Sequence, residues 1–170
     1  MGDEYSLWLQ PPSGSVPHER LSSRIRDYAD QYDTPVFPPH VTVVGGVGTD
    51  RETIEKVAGS ITSGETAAIR LVKASWSVTR HQCVFLLVDP SSWLISLHEK
   101  ARTYLDHPSN FYVPHLSLVY GDIGHAERES CAEKASDLVP MSFKPSEIRV
   151  VDTSGRASTW KTVTTTTFDQ

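Results

Sequence analysis

At 170 residues the chain has the length of one domain, since single domains run to about 100–200 residues, and it can bury a core without disulfide or metal staples. Its 16 Lys and Arg against 21 Asp and Glu leave a net charge of −5. That excludes nucleic-acid binding by bulk electrostatics, because neutralising phosphates needs a clustered basic face. Two cysteines, Cys83 and Cys131, are too few for a disulfide framework or a four-thiolate zinc site, and they read as buried thiols in a reducing compartment.

The opening Met-Gly-Asp-Glu-Tyr lacks basic and apolar signal regions, and the longest apolar run, Cys83 to Val88, is the length of a strand. Gly2 superficially suggests myristoylation, but no polybasic patch accompanies it. A cytoplasmic, monomeric protein without a membrane partner is expected.

In chain order, Tyr5 to Leu9 is a β-prone run ended by Pro11, Pro12 and Gly14. A helix follows, with Ser15 as N-cap, Pro17 in its first turn and Leu21, Ile25 and Tyr28 on one face. A proline-punctuated link over 34–39 leads into a strand from His40 to Val44, closed by Gly45 and Gly46. Asp50 caps a helix carrying Ile54, Val57 and Ile61. Ala67 to Val72 and Ser75 to Thr79 read as a pair of strands, and Cys83 to Val88 as a buried one. Asp89-Pro90-Ser91 starts a helix with Leu94, Leu97, Ala101 and Leu105 on one face, ending in a turn at 107–110. After Pro114 comes a strand from His115 to Tyr120, closed by Gly121, then a helix from about Ala126 to Leu138. Ser146 to Val151 and Thr159 to Phe168 form a hairpin around Ser154-Gly155.

The two halves, about 5–80 and 83–168, repeat one unit. PHVTVVGG at 39–46 aligns with PHLSLVYG at 114–121 at an offset of 75 residues, matching Pro39 with Pro114, His40 with His115, Val44 with Val119 and Gly46 with Gly121. Such a duplication predicts two lobes related by a pseudo-two-fold. Short strands with a terminal hairpin favour an α+β fold: two lobes, each an antiparallel sheet with helices on its outer face, and a cleft between them.

The bare His-x-Ser/Thr pattern means little. With seven histidines and 35 serines and threonines, chance supplies one or two matches, and a third instance, His107-Pro108-Ser109, sits in a turn. Context lifts the other two. On a strand His40 points with Thr42 and His115 with Ser117, while Val41, Val43, Leu116 and Leu118 face the core. Two imidazoles and two hydroxyls across one cleft suit a phosphodiester. One neutral imidazole takes a proton from water, the other gives one to the leaving oxygen, and the hydroxyls donate to the non-bridging oxygens. No carboxylate or cysteine stands at ligand spacing from these histidines, so no metal and no cofactor is expected.

With these residues in view, the chain resembles the two-histidine (2H) phosphoesterases, and among them the cyclic phosphodiesterases of plants and fungi. The likeness rests on YSLWL, QCVFLLV at 82–88, YVPHLSLVYG at 112–121, AERESCAEKASDL and STWKTV at 158–163. It implies a bilobal fold and metal-independent hydrolysis of ADP-ribose 1″,2″-cyclic phosphate to the 1″-phosphate and of nucleoside 2′,3′-cyclic phosphates to 2′-phosphates. It places the catalytic pair at His40 and His115 and the phosphate-binding hydroxyls at Thr42 and Ser117. Strand alternation turns Tyr120 away from Ser117, whereas the resemblance puts it near the phosphate. Trp8 either stacks a base or packs in the core. Arg80 and His81 stand where relatives carry bulky aromatics; they either supply positive charge to the substrate or are plain loop residues. Two other readings stay open at this point: an RNA-end-processing enzyme of the same fold, which the acidic balance disfavours, and a module that binds a cyclic phosphate or ADP-ribose derivative without turnover. The expected partner is a small cyclic phosphate, not long nucleic acid.

Overall fold

Strand β1 (Glu4–Leu9) is buried from Tyr5 onward, and helix α1 (Val16–Tyr32) follows with Ser15 as its cap and Leu21, Ile25, Tyr28 and Ala29 facing inward. The remaining elements of this computed structural model are β2 (Val41–Gly48), α2 (Arg51–Ile61), β3 (Ile69–Trp76), β4 (Val84–Val88), α3 (Ser92–Tyr104), β5 (His115–Val119), α4 (His125–Ala135), β6 (Met141–Phe143), β7 (Glu147–Asp152) and β8 (Lys161–Thr167). The structure describes residues 2–108 and 111–169, so Ser109 and Asn110 of the turn expected at 107–110 lie outside the described residues. Among the described residues no helix is long and apolar enough to cross a membrane.

Among the described residues, eight strands form one sheet in the order β6-β3-β4-β5-β2-β1-β7-β8, and each of these pairings is antiparallel. With four helices alongside, the fold is α+β, as the sequence pattern and the resemblance imply. The motif strands β2 and β5 meet at the centre through one register pair, Val41 opposite Leu116. At that seam two β2 carbonyls are bonded by side chains: Thr42 O accepts from the Tyr112 hydroxyl at 2.8 Å, and Val43 O from His98 Nδ1 at 2.7 Å. Buried backbone acceptors thus stay satisfied where the two halves of the sheet part. His98 is therefore a buried prop, its ring stacked on Tyr112 at 3.8 Å.

The halves of the sheet are not the halves of the chain. The His40 half is β2-β1-β7-β8, with α2 against β1, β7 and β8 and α3 against β2; the His115 half is β5-β4-β3-β6, with α4 on β3 and β4 and α1 on β5 and β6. After α2 the chain crosses to the far half as β3, and after β6 it returns as β7. The duplication at 39–46 and 114–121 is thus embedded in an intertwined sheet, where the boundary near residue 80 falls inside the His115 half.

Three local expectations change. The two strands expected at Ala67–Val72 and Ser75–Thr79 merge into one, β3 (Ile69–Trp76), with Ser77–Thr79 left in the following loop. Its register against β4 shifts between Leu71 and Lys73, so the break in alternation is a bulge, not a turn. Gly45 and Gly46 lie inside β2 instead of ending it, where the β1–β2 register also shifts and Gly46 takes a left-handed φ of 63°, a conformation that suits glycine. The three-residue strand β6 was too short to register as a pattern.

Candidate functional site

Each motif histidine follows a proline, and in both cases the ring turns back onto the carbonyl two residues earlier. His40 Nδ1 lies 2.8 Å from Pro38 O, and His115 Nδ1 lies 2.8 Å from Val113 O. A carbonyl only accepts, so Nδ1 carries the hydrogen in both rings and each Nε2 is left as the working nitrogen. Both histidines line one cleft of about 480 Å³ at the seam, together with Thr42, Trp8, Tyr120 and His81.

The two rings sit in different surroundings. His40 is 2 % exposed. The Trp8 indole stacks on it at 3.5 Å with planes 9° apart, and the Tyr120 hydroxyl donates to its Nε2 at 3.2 Å. Burial lowers its pKa to about 4, with the nearby His115 adding to the effect and the Pro38 carbonyl opposing it. His115 is half-buried, beside the Gln82 amide and edge-on to Phe85. Burial lowers its pKa too, against the Val113 carbonyl. Tyr120 is pushed up to about 12 by burial, the Ser117 hydroxyl pulling the other way, and so keeps its proton at neutral pH.

The hydroxyls also differ. Thr42 is half-exposed on the cleft wall, and its Oγ1 makes no hydrogen bond within the protein among the described residues. Ser117 is 2 % exposed and stands one layer behind; its Oγ donates to the His81 carbonyl at 3.1 Å. His81 is exposed and its ring lies 5.9 Å from that of Tyr120. Trp8, also 2 % exposed, spends one face on His40 and meets Trp160 edge-on at 5.7 Å. It is a wall of the His40 pocket and not a free stacking platform. Tyr120 reaches His40 because β5 ends at Val119, so strand alternation no longer governs where its side chain goes.

Residues 1–168 match the family described as cyclic phosphodiesterase-like protein. The chain belongs to the cyclic phosphodiesterase-like family. It is 29 % identical to a cyclic phosphodiesterase of Arabidopsis thaliana over 170 residues, covering 95 % of this chain and 93 % of that one. Among solved structures it is similar to Escherichia coli LigT complexed with 3′-AMP, with a TM-score of 0.64, 14 % identity and full coverage of both chains. It is also similar to a Thermus thermophilus protein, with a TM-score of 0.65, 10 % identity and 97 % coverage of both. These structural likenesses show the fold.

Within this cyclic phosphodiesterase framework the structure adds residues that sequence reasoning did not weigh. Trp160, half-buried at the mouth of the cleft, lies edge-on to Trp8 and Tyr120. Its signal lay in STWKTV, but which strand that segment neighbours is a question of pairing. Ser6 bridges the cleft floor: its Oγ accepts from Gly46 N at 3.1 Å and meets Thr153 Oγ1 at 3.0 Å. Arg128, 1 % exposed, donates to the carbonyls of Ser77, Thr79 and Ile123 at 2.6, 2.9 and 2.8 Å. It thereby ties the β3–β4 loop, which carries His81 and Gln82, to the turn after Tyr120. An arginine in a polar helix signals nothing of this from sequence.

Proposed function

We propose that the protein hydrolyses a cyclic phosphodiester on a ribose, with nucleoside 2′,3′-cyclic phosphates and ADP-ribose 1″,2″-cyclic phosphate as its substrates, through His40 and His115. The observation that carries this reading is the matched pair of Nδ1–carbonyl hydrogen bonds, which leaves two Nε2 atoms to serve one cleft. His115, nearer to solvent, takes a proton from water as its oxygen attacks phosphorus. The P–O3′ bond breaks, and His40 delivers its proton to the departing O3′, leaving a 2′-phosphate. His40, sealed under Trp8 and Tyr120, holds that proton away from bulk water, and the indole face favours the imidazolium. Thr42 donates to a non-bridging oxygen whose charge grows in the transition state. Trp160 offers an aromatic surface to a base at the mouth. The similar LigT structure is complexed with 3′-AMP, which supports a small nucleotide as ligand.

The deciding experiment is turnover of both substrate types in excess EDTA by wild type, H40A and H115A, with products identified. Chelator-resistant hydrolysis to the 2′- or 1″-phosphate, lost in both variants, is the expected result. Stoichiometric binding without product would instead make the protein a binding module.

A further inference from the structure

The cleft continues past the histidines. Beyond Tyr120 and Trp160 lies a cavity of about 900 Å³ whose wall shares His81, Tyr120, Gly155 and Trp160 with the histidine cleft, so one ligand can occupy both. Two arginines line this extension, Arg80 from the β3–β4 loop and Arg156 from the β7–β8 loop. Both are exposed, and neither forms an ion pair with a carboxylate among the described residues. Of the two carboxylates on the wall, Asp122 is held by Arg128 Nη2 at 3.4 Å, which leaves Asp33 as the remaining carboxylate on a wall with two unpaired guanidinium groups. In a chain of net charge −5 this is a local excess of positive charge beside the site.

The loops are anchored, too. Arg80 O accepts from Gly121 N at 3.2 Å, Arg128 grips the carbonyls at 77 and 79, and Arg156 O accepts from Thr159 N at 2.9 Å. The two arginines come from opposite halves of the sheet, as the two histidines do.

We infer that this extension is an anion subsite, in which Arg80 and Arg156 receive a second phosphoryl group carried on the exocyclic 5′ carbon of the substrate while its cyclic phosphate lies between His40 and His115. The inference rests on the reading of the cleft as a phosphodiesterase site. A guanidinium fork matches two phosphate oxygens at once, and a charge-assisted contact of this kind changes binding by roughly tenfold to a hundredfold.

The test compares a nucleoside 2′,3′-cyclic phosphate with the same compound bearing a 5′-phosphate, in wild type, R80A/R156A and R80K/R156K, with melting curves recorded for each. The 5′-phosphate is expected to lower KM by about tenfold or more in wild type. R80A/R156A brings the two substrates to a common KM, and the lysine pair retains part of the preference. Equal KM values in wild type, or a preference that survives in a well-folded R80A/R156A, overturn the subsite and leave the phosphodiesterase reading standing. Turnover of neither compound overturns both.

Discussion

His40 and His115 hang from their strands in the same way, each with Nδ1 on the carbonyl two residues back. Around that shared geometry the two motif strands diverge. His40 is sealed between an indole and a tyrosine hydroxyl, whereas His115 is half-open beside Gln82. Thr42 looks into the cleft and Ser117 lies behind it, committed to the His81 carbonyl. The aligned glycines also differ: Gly46 is needed for its left-handed φ of 63°, while a Cβ on Gly121 would come within 2.8 Å of Thr34 Cγ2. A repeated sequence thus reproduces the local geometry of each histidine, and the neighbours supplied by other strands make the copies chemically unequal.

The strongest test of that inequality removes each histidine in turn. Positioned acid–base groups contribute about 10²–10⁴-fold each, so H40A and H115A should each raise the barrier by roughly 3–5 kcal/mol. If His40 is the acid, a substrate with a better leaving group than a sugar hydroxyl rescues H40A more than H115A. Equal rescue of both variants would break the assignment of roles.

Titration should separate the pair next. The folded-state pKa of His40, about 4, lies below the unfolded value near 6.5, so the unfolded chain binds the proton first. The stability that neutral His40 contributes is whole above about pH 6.5 and drains as pH falls toward 4, by roughly 3 kcal/mol in all. Urea unfolding at pH 7 and pH 4.5 should show wild type losing more than H40Q; H115Q should differ less from wild type, since His115 is the more open ring. Activity should follow the same pKa values. With both histidines lowered, kcat/KM is bell-shaped with its maximum on the acid side of about 6.5, and kcat peaks at higher pH because the bound phosphate favours the imidazolium. A kcat/KM profile that is flat from pH 5 to 8 would count against the pair.

The smallest contrast concerns the hydroxyls. T42A removes an uncommitted cleft-facing donor and should cost about 1–3 kcal/mol in kcat/KM. S117A removes a hydroxyl already bonded to backbone and should cost less than about 1 kcal/mol of barrier. Equal losses would show that Ser117 turns into the cleft when substrate binds.

What sequence disclosed, and what it did not, follows from the range of the interactions involved. Strand alternation places Val41, Val43, Leu116 and Leu118 in the core, and all four are buried. It fails for Trp8, because β1 is buried on both faces from Tyr5 to Leu9, so a strand position there does not tell cleft from core. It fails for Tyr120 because the strand stops one residue earlier. The crossing of β3 and the return of β7 depend on partners far apart in the chain, and no local pattern records them. Arg128 and His98 act through backbone carbonyls, acceptors that every residue supplies and no side-chain pattern advertises.

The interlaced sheet has a consequence for how the protein is made. Leu7 pairs with Val150, 143 residues further along, so the strand beside the first histidine gains its outer neighbour only after nearly the whole chain has been synthesised. Until then one edge of β1 is an open template, of the kind that recruits stray strands. Contacts this distant in sequence slow folding, and neither histidine's half can close as an autonomous fragment. Trimming β7 and β8 would therefore strip an interior partner from the His40 half of the sheet, and a protein divided between α3 and β5 should regain a complete cleft only when both pieces fold together.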